Sequence, residues 1–413
     1  MKVAIIGAGI SGLMVANQLD GVADYTLFES NSKLGGHADT QDVVIGNKRV
    51  SVDTGFIVFN RDIYTHFNGM LERLGVDTIP SDMSFAVTNR QTGLEYNATS
   101  IPTLFCQKRN WFNPKFYRMV WDIRRFYQAA EGLLRSNNQQ TIHEYLTENH
   151  YSQYFIEEHI IPMASALWSG DFISIREYPL VYMLQFMKNH QMLQLDNRPQ
   201  WRTIKGGSKQ YVQAIKNQMQ GELQLNTPVL EVKRHGHQVD VVTANQTQTF
   251  DCVVFATHTD ITQQLLVDCS AEEDQALGDI PYVENHMDLH TDAAIMPANK
   301  KAWASWHVNQ YPESTSCCTV NYYMNLLQSL DCEQPVIVSL NQSKYLDPAK
   351  ILLSKKYHHP VYNHNTIRAQ NKLQELQGNN NTYFCGAYMG WGFHEDGARS
   401  GVQVAEAIKS KLT

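Results

Sequence analysis

The chain has 413 residues, of which 43% are hydrophobic and 18% are charged, and its formal net charge at pH 7 is −7. This balance is typical of a globular protein with a buried core, and the negative charge excludes a general attraction to polyanions, so we expect no nucleic-acid partner. Its 7 cysteines include no Cys-x-x-Cys pair, which argues against a disulfide framework and a thiolate zinc site and favours reduced thiols in the cytoplasm.

The chain opens on a short apolar run and a glycine-rich turn, "VAIIGAGISGL" at residues 3–13. The run predicts a buried parallel strand, and the residues after the turn suit a helix packed on a sheet. In a G-x-G-x-x-G turn the first glycine permits the tight bend, the second lets a diphosphate approach the backbone, and the third lets helix and strand pack closely. Because helix N-terminal amides also bind anions, the pattern predicts a dinucleotide cradle formed by Gly7, Gly9, Ser11 and Gly12.

A second predicted strand, "YTLFE" at 25–29, ends on a carboxylate. Glu29 is suited to accept hydrogen bonds from both ribose hydroxyls of an adenosine and would repel a 2′-phosphate. The strand, turn, helix, strand and acid together predict dinucleotide binding, with Ser30 as a further contact, and leave NAD and FAD both open.

A second glycine pair follows in "ESNSKLGGHADT" at 29–40. Here the sequence resembles the FAD-binding flavoproteins of the amine oxidase, protoporphyrinogen oxidase and carotenoid desaturase superfamily, in which a Gly-Gly pair precedes a basic residue. The resemblance implies FAD as the cofactor, bound by Gly35, Gly36 and His37, with His37 standing where the family usually has Arg. The stretch "VDTGF" resembles the family's Asp-x-Gly segment beside the isoalloxazine ring, which implies contacts from Asp53, Thr54, Gly55 and Phe56.

The far end of the chain, "NTYFCGAYMGWGFHEDGARSG" at 381–401, resembles the C-terminal flavin motif of the same superfamily. We expect a strand at 382–385, a glycine-rich loop, and a helix that begins near Gly397 with Asp396 as its N-cap. In the family the start of this helix faces the pyrimidine end of the flavin, where its amides stabilise negative charge. The resemblance implies contacts from Gly386, Ala387, Asp396, Gly397 and Ala398, and Ala387 stands where the family commonly has an acidic residue.

Two internal stretches complete the resemblance. "WRTIKGGSKQYVQAIKNQ" at 201–218 resembles the family's glycine-pair loop before a helix, and the following residues predict a hairpin and an apolar strand that ends at Thr257. The family position that matches Val229 pairs its backbone with adenine. The resemblance implies an α/β fold: a Rossmann-like FAD-binding domain of the glutathione-reductase type with amine-oxidase topology, interrupted by a mixed α+β substrate domain. We place the FAD-binding domain at residues 1–80, 201–265 and 380–413, and the substrate domain at 81–200 and 266–379.

The insert at 81–200 is predicted to be largely helical, and that at 266–379 to be mixed, with candidate strands at "DAAIM" and "PVIVSL". Helical spacing from Asn113-Pro114 predicts one buried face, made of Phe116, Val120, Ile123, Tyr127 and Ala130. The same helix carries Lys115, Arg118, Arg124 and Arg125 beside Trp121 and Phe126. We favour a core-facing helix with a solvated basic face; the alternative is a helix that lies on anionic lipid.

The stretch "YPLVYMLQFMKNHQMLQL" at 178–195 is rich in Met, Leu and aromatic residues. Such a stripe is usually core, and the alternative is the wall of a tunnel for a flexible apolar substrate. We find no second G-x-G-x-x-G motif for NAD(P)H, so we expect the substrate itself to exchange hydride with flavin N5.

A narrower resemblance comes from "RPQWRTIKGGSKQYV", "LHTDAAIMP", "AWASW" and the C-terminal motif, which together are similar to a bacterial subfamily of predicted FAD-binding proteins. Members of that subfamily are associated with cyclopropane-fatty-acid synthases, which implies an unsaturated or methyl-modified fatty acyl substrate and such a synthase as a partner. We find no cleavable signal segment and no apolar window of about eighteen residues that would span a membrane. We therefore expect a cytoplasmic protein, with contact at the inner face of the membrane as an open alternative.

Few polar side chains are candidate catalysts. His394 and Glu395 are both candidates for moving a proton, and a structural role is equally open to each. Phe393 matches one of the two aromatic residues that frame the substrate in amine oxidases. The superfamily's oxygen-activating Lys is absent from 283–292, which weakens the amine-oxidase interpretation. We reject a metal site at His286 and His290 and place His358-His359 in a surface loop. Three functions follow: an FAD oxidoreductase acting on acyl chains, a flavin amine oxidase, and a flavoprotein subunit whose FAD is structural.

Overall fold

Strands and helices alternate along the whole chain in the computed structural model, which describes residues 1–136, 138–168, 170–193, 199–312 and 318–412. The strands are, in chain order, β1 (Lys2–Ile6), β2 (Asp24–Phe28), β3 (Thr40–Ile45), β4 (Lys48–Asp53), β5 (Phe59–Asn60), β6 (Thr78–Pro80), β7 (Phe85–Asn89), β8 (Leu94–Asn97), β9 (Trp201–Ile204), β10 (Glu222–Gln224), β11 (Val229–His235), β12 (Gln238–Thr243), β13 (Thr247–Phe250), β14 (Cys252–Phe255), β15 (Tyr282–His290), β16 (Trp306–Gln310), β17 (Val320–Tyr323), β18 (Ile337–Leu340), β19 (Ile351–Pro360) and β20 (Thr382–Phe384).

The helices are α1 (Ile10–Leu19), α2 (Thr65–Arg73), α3 (Ile101–Leu104), α4 (Pro114–Arg135), α5 (Ile142–Glu148), α6 (Gln153–Phe155), α7 (Ile161–Trp168), α8 (Leu180–Asn189), α9 (Lys209–Gln218), α10 (Thr259–Leu265), α11 (Ala271–Gly278), α12 (Met324–Leu327), α13 (His364–Glu375) and α14 (His394–Lys409). A π-helical segment, Ile156–Ile160, joins α6 to α7. Short 3₁₀ turns lie at Lys108–Phe112, Ser174–Glu177, Ala293–Ile295, Lys300–Ala302, Ser343–Tyr345, Pro348–Lys350, Asn379–Asn381 and Ala387–Met389. No helix within these described ranges is both long and apolar enough to cross a membrane.

The opening apolar run forms the central strand of a parallel sheet with the strand order β10-β2-β1-β14-β20. Val3 and Ile5 of β1 pack with α1 and α14 on one face, while Ala4 and Ile6 pack with β11 to β13 on the other. Burial on both faces explains why the run is hydrophobic throughout, since helices or strands cover each side of a parallel sheet. The predicted α/β fold with a Rossmann-like core is confirmed.

A seven-stranded mixed sheet, with the order β19-β15-β18-β17-β16-β7-β8, packs with the helices of residues 101–189 around the largest hydrophobic core. All strands of this sheet come from 81–200 and 266–379, whereas the parallel sheet draws only on 1–80, 201–265 and 380–413. We retain the predicted domain division as a proposal on that basis. The segment "PVIVSL" does contain a strand, β18, but "DAAIM" does not: Ala293–Ile295 is a 3₁₀ turn because the Asp292 carboxylate accepts a hydrogen bond from the Ala294 amide.

Helix α4 starts at Pro114 as predicted, but its buried face differs from the predicted one. The buried positions are Phe116, Met119, Asp122, Phe126 and Ala130. The centre of the face holds a fully buried carboxylate, Asp122, which pairs with Arg118 and Arg125 and accepts a hydrogen bond from the Ser152 amide at 3.0 Å. A search for hydrophobic spacing misses a buried carboxylate such as Asp122. The sequence analysis had also assigned Phe126 to the exposed basic side of the helix.

Candidate functional site

One large cavity of about 1020 Å³ runs from the carboxyl ends of the parallel strands towards the seven-stranded sheet and helices α7 and α8. This volume lies at the upper end of the range of ligand pockets, so it offers more room than one small molecule needs. Glycine-rich turns line one end, and aromatic and aliphatic side chains line the other. Most of the predicted site residues line the first end: Gly7, Gly9, Ser11, Glu29, Ser30, Gly35, Gly36, His37, Thr54, Gly55, Phe56, Val229, Thr257, Gly386 and Ala387.

Two glycine turns meet backbone to backbone beneath the cavity. The Gly35 amide donates to the Ala8 carbonyl at 2.9 Å, and a Cβ on Gly36 would lie 3.1 Å from the Gly9 Cα. A Cβ on Gly9, by contrast, would meet no atom within 4 Å. The space above Gly9 is therefore open, as a cradle for a diphosphate requires.

Glu29 follows β2 directly and lies buried at the edge of this cradle. Its Oε2 accepts a hydrogen bond from the Ala8 amide at 2.9 Å, and its Oε1 accepts from the Asn31 amide at 2.9 Å and from the Asn31 side chain at 2.7 Å. These bonds hold the carboxylate beside the glycine turn, where the sequence placed a ribose acceptor.

Asp53 does not line the cavity. Its buried carboxylate accepts hydrogen bonds from the Ser208 amide at 2.9 Å, the Ser208 hydroxyl at 2.7 Å, the Thr40 hydroxyl at 2.6 Å and the Gln328 side chain at 2.9 Å. Burial raises the pKa of this carboxyl to about 6, against the lowering effect of those donors. Asp53 thus fixes the segment whose next three residues, 54–56, do line the cavity.

Helix α14 begins at His394 rather than near Gly397, so the prediction that Asp396 is the N-cap was wrong. Asp396 is the third helical residue, and its carboxylate reaches back to accept hydrogen bonds from the Trp391 amide at 3.0 Å and the Phe393 amide at 3.1 Å. Gly12, Asp396, Gly397 and Ala398 are not among the described residues that line the cavity. A Cβ on Gly397 would lie 2.7 Å from Ile10 Cγ2, so this glycine serves the packing of α14 on α1.

His394 lines the cavity but is poorly suited to proton transfer. Its ring stacks on Phe56 with centroids 3.7 Å apart, and its Nε2 shares a 2.9 Å hydrogen bond with the Tyr211 hydroxyl. Burial lowers its pKa to about 3, so it is neutral and a weak base at neutral pH. Glu395 is occupied elsewhere, because it accepts hydrogen bonds from the His66 and Phe67 amides at the start of α2.

Residues 10–286 match the family model described as "Flavin containing amine oxidoreductase". The chain belongs to this family. Its cofactor is therefore FAD, and its enzyme class is that of the FAD-dependent oxidoreductases, both as predicted. The cradle fits this cofactor, since Gly9, above which the space is open, and His37, whose Nε2 is buried without a hydrogen-bond partner, line the same cavity.

Solved structures share the fold of this flavoprotein over its whole length. Cyclohexylamine oxidase from Brevibacterium oxydans IH-35A has a TM-score of 0.73 at 16% identity and covers 100% of this chain and 99% of its own. A CLA-producing fatty acid isomerase from P. acnes has a TM-score of 0.70 at 15% identity and covers 98% of each chain. Tryptophan 2-monooxygenase of Allorhizobium ampelinum is 34% identical over 108 residues, which span 24% of this chain and only 15% of that relative.

The flavoprotein also has a histidine cluster that sequence reasoning missed. His37 lies with its ring centroid 5.9 Å from that of His258, 5.7 Å from that of His359 and 5.0 Å from that of Tyr357. Burial, helped by the neighbouring His359 and His258, holds the pKa of His37 well below its usual range. The pair His358-His359 lies on strand β19, not in a surface loop, and both residues line the cavity. The described residues contain no group of three or more His, Cys, Asp or Glu that would hold a metal.

The far end of the cavity has an aromatic wall, for which the sequence had indicated Phe393 and, as the alternative to core, the stretch at 178–195. Phe393 stacks on Phe186 with centroids 4.6 Å apart. Tyr362, which also lines the cavity, was missed: its ring stacks on Tyr182 with centroids 5.6 Å apart, and a Cβ on Gly392 would lie 2.6 Å from its hydroxyl, which is buried without a partner. No local motif marks Tyr362, because it reaches the Gly392 loop only through the fold. From the stretch at 178–195, Met183, Leu184 and Met187 are core, Phe186, His190 and Met192 line the cavity, and the last two residues lie outside the described ranges.

Proposed function

We propose that this protein is an FAD-dependent oxidoreductase that moves a hydride between flavin N5 and the acyl chain of a lipid. One observation carries the proposal: the cavity continues from the dinucleotide cradle into a region walled by apolar and aromatic side chains. That region is lined by Phe85, Tyr127, Met163, Ala166, Leu167, Trp168, Phe186, Trp306 and Tyr322. Among the described lining residues there is no Lys or Arg.

The proposed cofactor contacts follow the geometry of the cradle. Gly7, Gly9 and Ser11 would hold the diphosphate at the start of α1, Glu29 and Ser30 the ribose, and Val229 the adenine. Towards the flavin ring we propose Gly35, Gly36, His37, Thr54, Gly55, Phe56, Thr257, Gly386 and Ala387 as contacts, with Gly12, Asp53, Asp396, Gly397 and Ala398 supporting them from behind. When bound, the flavin supplies the hydride acceptor.

The lining supports an esterified acyl chain over a free fatty acid. A free carboxylate inside an apolar cavity without Lys or Arg would be desolvated and unpaired, which is costly. A chain whose carboxyl group is esterified has no such charge, and Phe186, Trp391 and Phe393 are placed to exclude water from it. A fold shared with a fatty acid isomerase, and the resemblance to the subfamily associated with cyclopropane-fatty-acid synthases, support an unsaturated or methyl-modified chain and such a synthase as a partner.

An amine is the second candidate substrate, favoured by the aromatic side chains of Tyr362 and Phe393, which line the same cavity. Aromatic side chains lining one cavity suit a small neutral amine. Asp82, the one carboxylate of the described apolar region, does not favour a cation there, since it already accepts hydrogen bonds from the Ser84 amide at 2.9 Å and from the hydroxyls of Ser84 and Ser305.

The test is the visible spectrum of the purified holoprotein, followed without oxygen as substrates are added. We expect phospholipids with unsaturated or methylated chains, dispersed in detergent, to bleach the oxidised flavin. Leu167→Trp, which narrows the apolar region, should slow this bleaching, while Val44→Trp at an exposed position should not. Bleaching by amines alone would replace the acyl proposal with the amine oxidase, and a flavin that neither class reduces would indicate a structural cofactor.

A further inference from the structure

An exposed aromatic surface covers the start of α4 and the segment before it. We define it by Ile101, Trp111, Phe112, Tyr117 and Trp121, whose exposed fractions are 69%, 49%, 89%, 47% and 51%. Large aromatic side chains are normally buried, and several together on one surface mark an interaction site.

Contacts between rings and backbone connect Trp111 and Tyr117 of this surface to each other and to Phe105. The Phe105 ring lies 4.7 Å from that of Trp111 and 5.4 Å from that of Tyr117, and the Tyr117 hydroxyl donates to the Trp111 carbonyl at 3.1 Å. Trp121 follows Tyr117 by one helical turn, with the Arg118 guanidinium 4.6 Å from its ring. These contacts hold the rings in place while leaving them half exposed.

The charge of the same stretch is opposite to that of the whole protein. Between residues 101 and 130 the basic side chains are Lys108, Arg109, Lys115, Arg118, Arg124 and Arg125, and the only acidic one is Asp122. Asp122 is buried and neutralised by Arg118 and Arg125. Lys108, Lys115 and Arg124 form no ion pair within the described ranges. Glu157 and Glu158 lie near Lys115 and Arg118, but Glu157 pairs with Arg176 and Glu158 accepts a hydrogen bond from Asn89, so basic side chains predominate on this surface of a chain with net charge −7.

We propose that this aromatic surface docks the protein on an anionic lipid bilayer. Trp and Tyr favour the boundary between headgroups and acyl chains, and Lys and Arg at the same level contact lipid phosphates. The segments that carry the surface also line the cavity: Ala98 and Thr99 precede Ile101, and Tyr127 lies on α4. A chain leaving the bilayer thus enters the cavity beside the docked surface, a route that rests on the acyl substrate proposed above.

The test is co-sedimentation of the FAD-bound protein with vesicles of phosphatidylcholine, with and without phosphatidylglycerol. We expect binding only with phosphatidylglycerol and release by salt. Trp111→Ala/Phe112→Ala should weaken binding at least about tenfold, because two rings no longer insert at the boundary between headgroups and acyl chains. Lys115→Glu/Arg124→Glu should also weaken it at least about tenfold, because two attractions to anionic headgroups become repulsions. The matched controls, Val44→Ala and Lys216→Glu/Lys233→Glu, should bind like the unaltered protein. The proposal would be overturned by equal binding to neutral vesicles, by an equal loss of binding in the controls, or by no vesicle binding at all. The last outcome would favour an acidic protein partner instead of a bilayer.

A second readout separates this proposal from the acyl substrate. The docking variants should keep flavin bleaching by detergent-dispersed lipid and lose it with lipid presented in vesicles. If vesicle binding depends on the surface but dispersed lipid never reduces the flavin, the docking stands and the substrate proposal falls. If bleaching by vesicles is equal in all variants, the surface does not deliver substrate.

Discussion

Three glycines of the cradle are needed for different physical reasons, and the difference can be measured. Gly7 has a φ of +99° and Gly12 has a carbonyl oxygen, that of Gly7, 1.9 Å from the position of a Cβ. Side chains at these two positions would disturb the folded protein itself. At Gly9 neither strain nor a clash arises, so only a ligand would meet the added methyl group.

We therefore predict that Gly9→Ala leaves the thermal stability of the FAD-free protein unchanged but weakens FAD binding. The expected loss is about 2 kcal/mol, or roughly thirtyfold, as for an extra methyl group in a filled site. Isothermal titration with FAD and thermal unfolding of the FAD-free protein would check both parts. Gly132→Ala, in an open position of α4, is the control for cofactor affinity: it should leave FAD binding unchanged and raise thermal stability slightly, because Ala is the better helix former. A Gly9→Ala protein that binds FAD normally would place the diphosphate elsewhere.

The predictable residues of the site are those whose function depends on their immediate neighbours in sequence. Gly9 and Glu29 belong to one strand-turn-helix-strand unit, so spacing alone located them. The sequence could not indicate that the Asp53 carboxylate is held by Ser208, because Ser208 lies 155 positions away. For His394 the sequence left proton transfer and a structural role equally open, because its partner Tyr211 lies 183 positions away and nothing in the motif reports that contact.

At the scale of elements, two adjacent carboxylates at the start of α14 stabilise different parts of the fold. Glu395 accepts hydrogen bonds at 3.0 Å from the His66 and Phe67 amides, which α2 itself leaves without partners. Asp396 holds the amides of Trp391 and Phe393, and thereby the loop that forms the aromatic wall of the cavity. One carboxylate therefore anchors a neighbouring helix, and the other shapes the site.

Glu395→Ala and Asp396→Ala should accordingly separate stability from cofactor environment. Each should lower the free energy of unfolding by about 2 kcal/mol, since hydrogen bonds to charged groups are lost. Only Asp396→Ala should also shift the visible spectrum and the circular dichroism of the bound flavin, because the Trp391–Phe393 loop is released. Urea unfolding and flavin spectroscopy would measure the two effects. An equal spectral change in both variants would show that α2 controls the flavin environment as strongly as the loop does.

The element-scale predictions from sequence succeeded where a run is uniformly apolar or a helix start has its own local signal, and failed where polar groups intervene. Strand β1 and the start of α4 follow directly from the pattern. The buried face of α4 was misassigned because Asp122 occupies its centre, and Ala293–Ile295 became a 3₁₀ turn through a single side-chain bond from Asp292. Single side-chain hydrogen bonds of this kind change the local structure but do not alter the spacing of hydrophobic residues in the sequence.

At the scale of the whole molecule, pairings between distant segments determine the shape of the cavity. Strand β16 pairs in parallel with β7, and Trp306 stands opposite Phe85, so the seven-stranded sheet joins segments more than two hundred residues apart. The apolar end of the cavity lies where that sheet and α7 meet the cradle. Sequence patterns predicted the cradle and the two groups of segments, but the shape of the space between them depends on pairings across the chain.

Titratable groups buried by this architecture set its response to pH. Burial lowers the pKa of several histidines, to about 4 for His190, His290 and His359 and to about 3 for His307 and His394. Burial also raises the pKa of three carboxyl groups, to about 6 for Asp53 and Asp396 and to about 7 for Glu158. Near pH 5 these histidines are neutral and these carboxyl groups are protonated in the folded protein. In the unfolded chain the same histidines are protonated and the same carboxyl groups are ionised.

These histidines outnumber the carboxyl groups, so the unfolded chain binds roughly two more protons than the folded one at pH 5. We predict that the free energy of unfolding falls by roughly 3 kcal/mol per pH unit as the pH drops below about 6.5 towards 5. Calorimetric unfolding at saturating FAD, in two buffers of different ionisation enthalpy, measures the proton uptake directly. His307→Gln, which is fully buried and outside the cavity, should reduce that uptake by about one proton, because one neutral imidazole no longer titrates on unfolding. Release of protons on unfolding at pH 5 would mean that the buried carboxyl groups, and not the histidines, dominate the acid response.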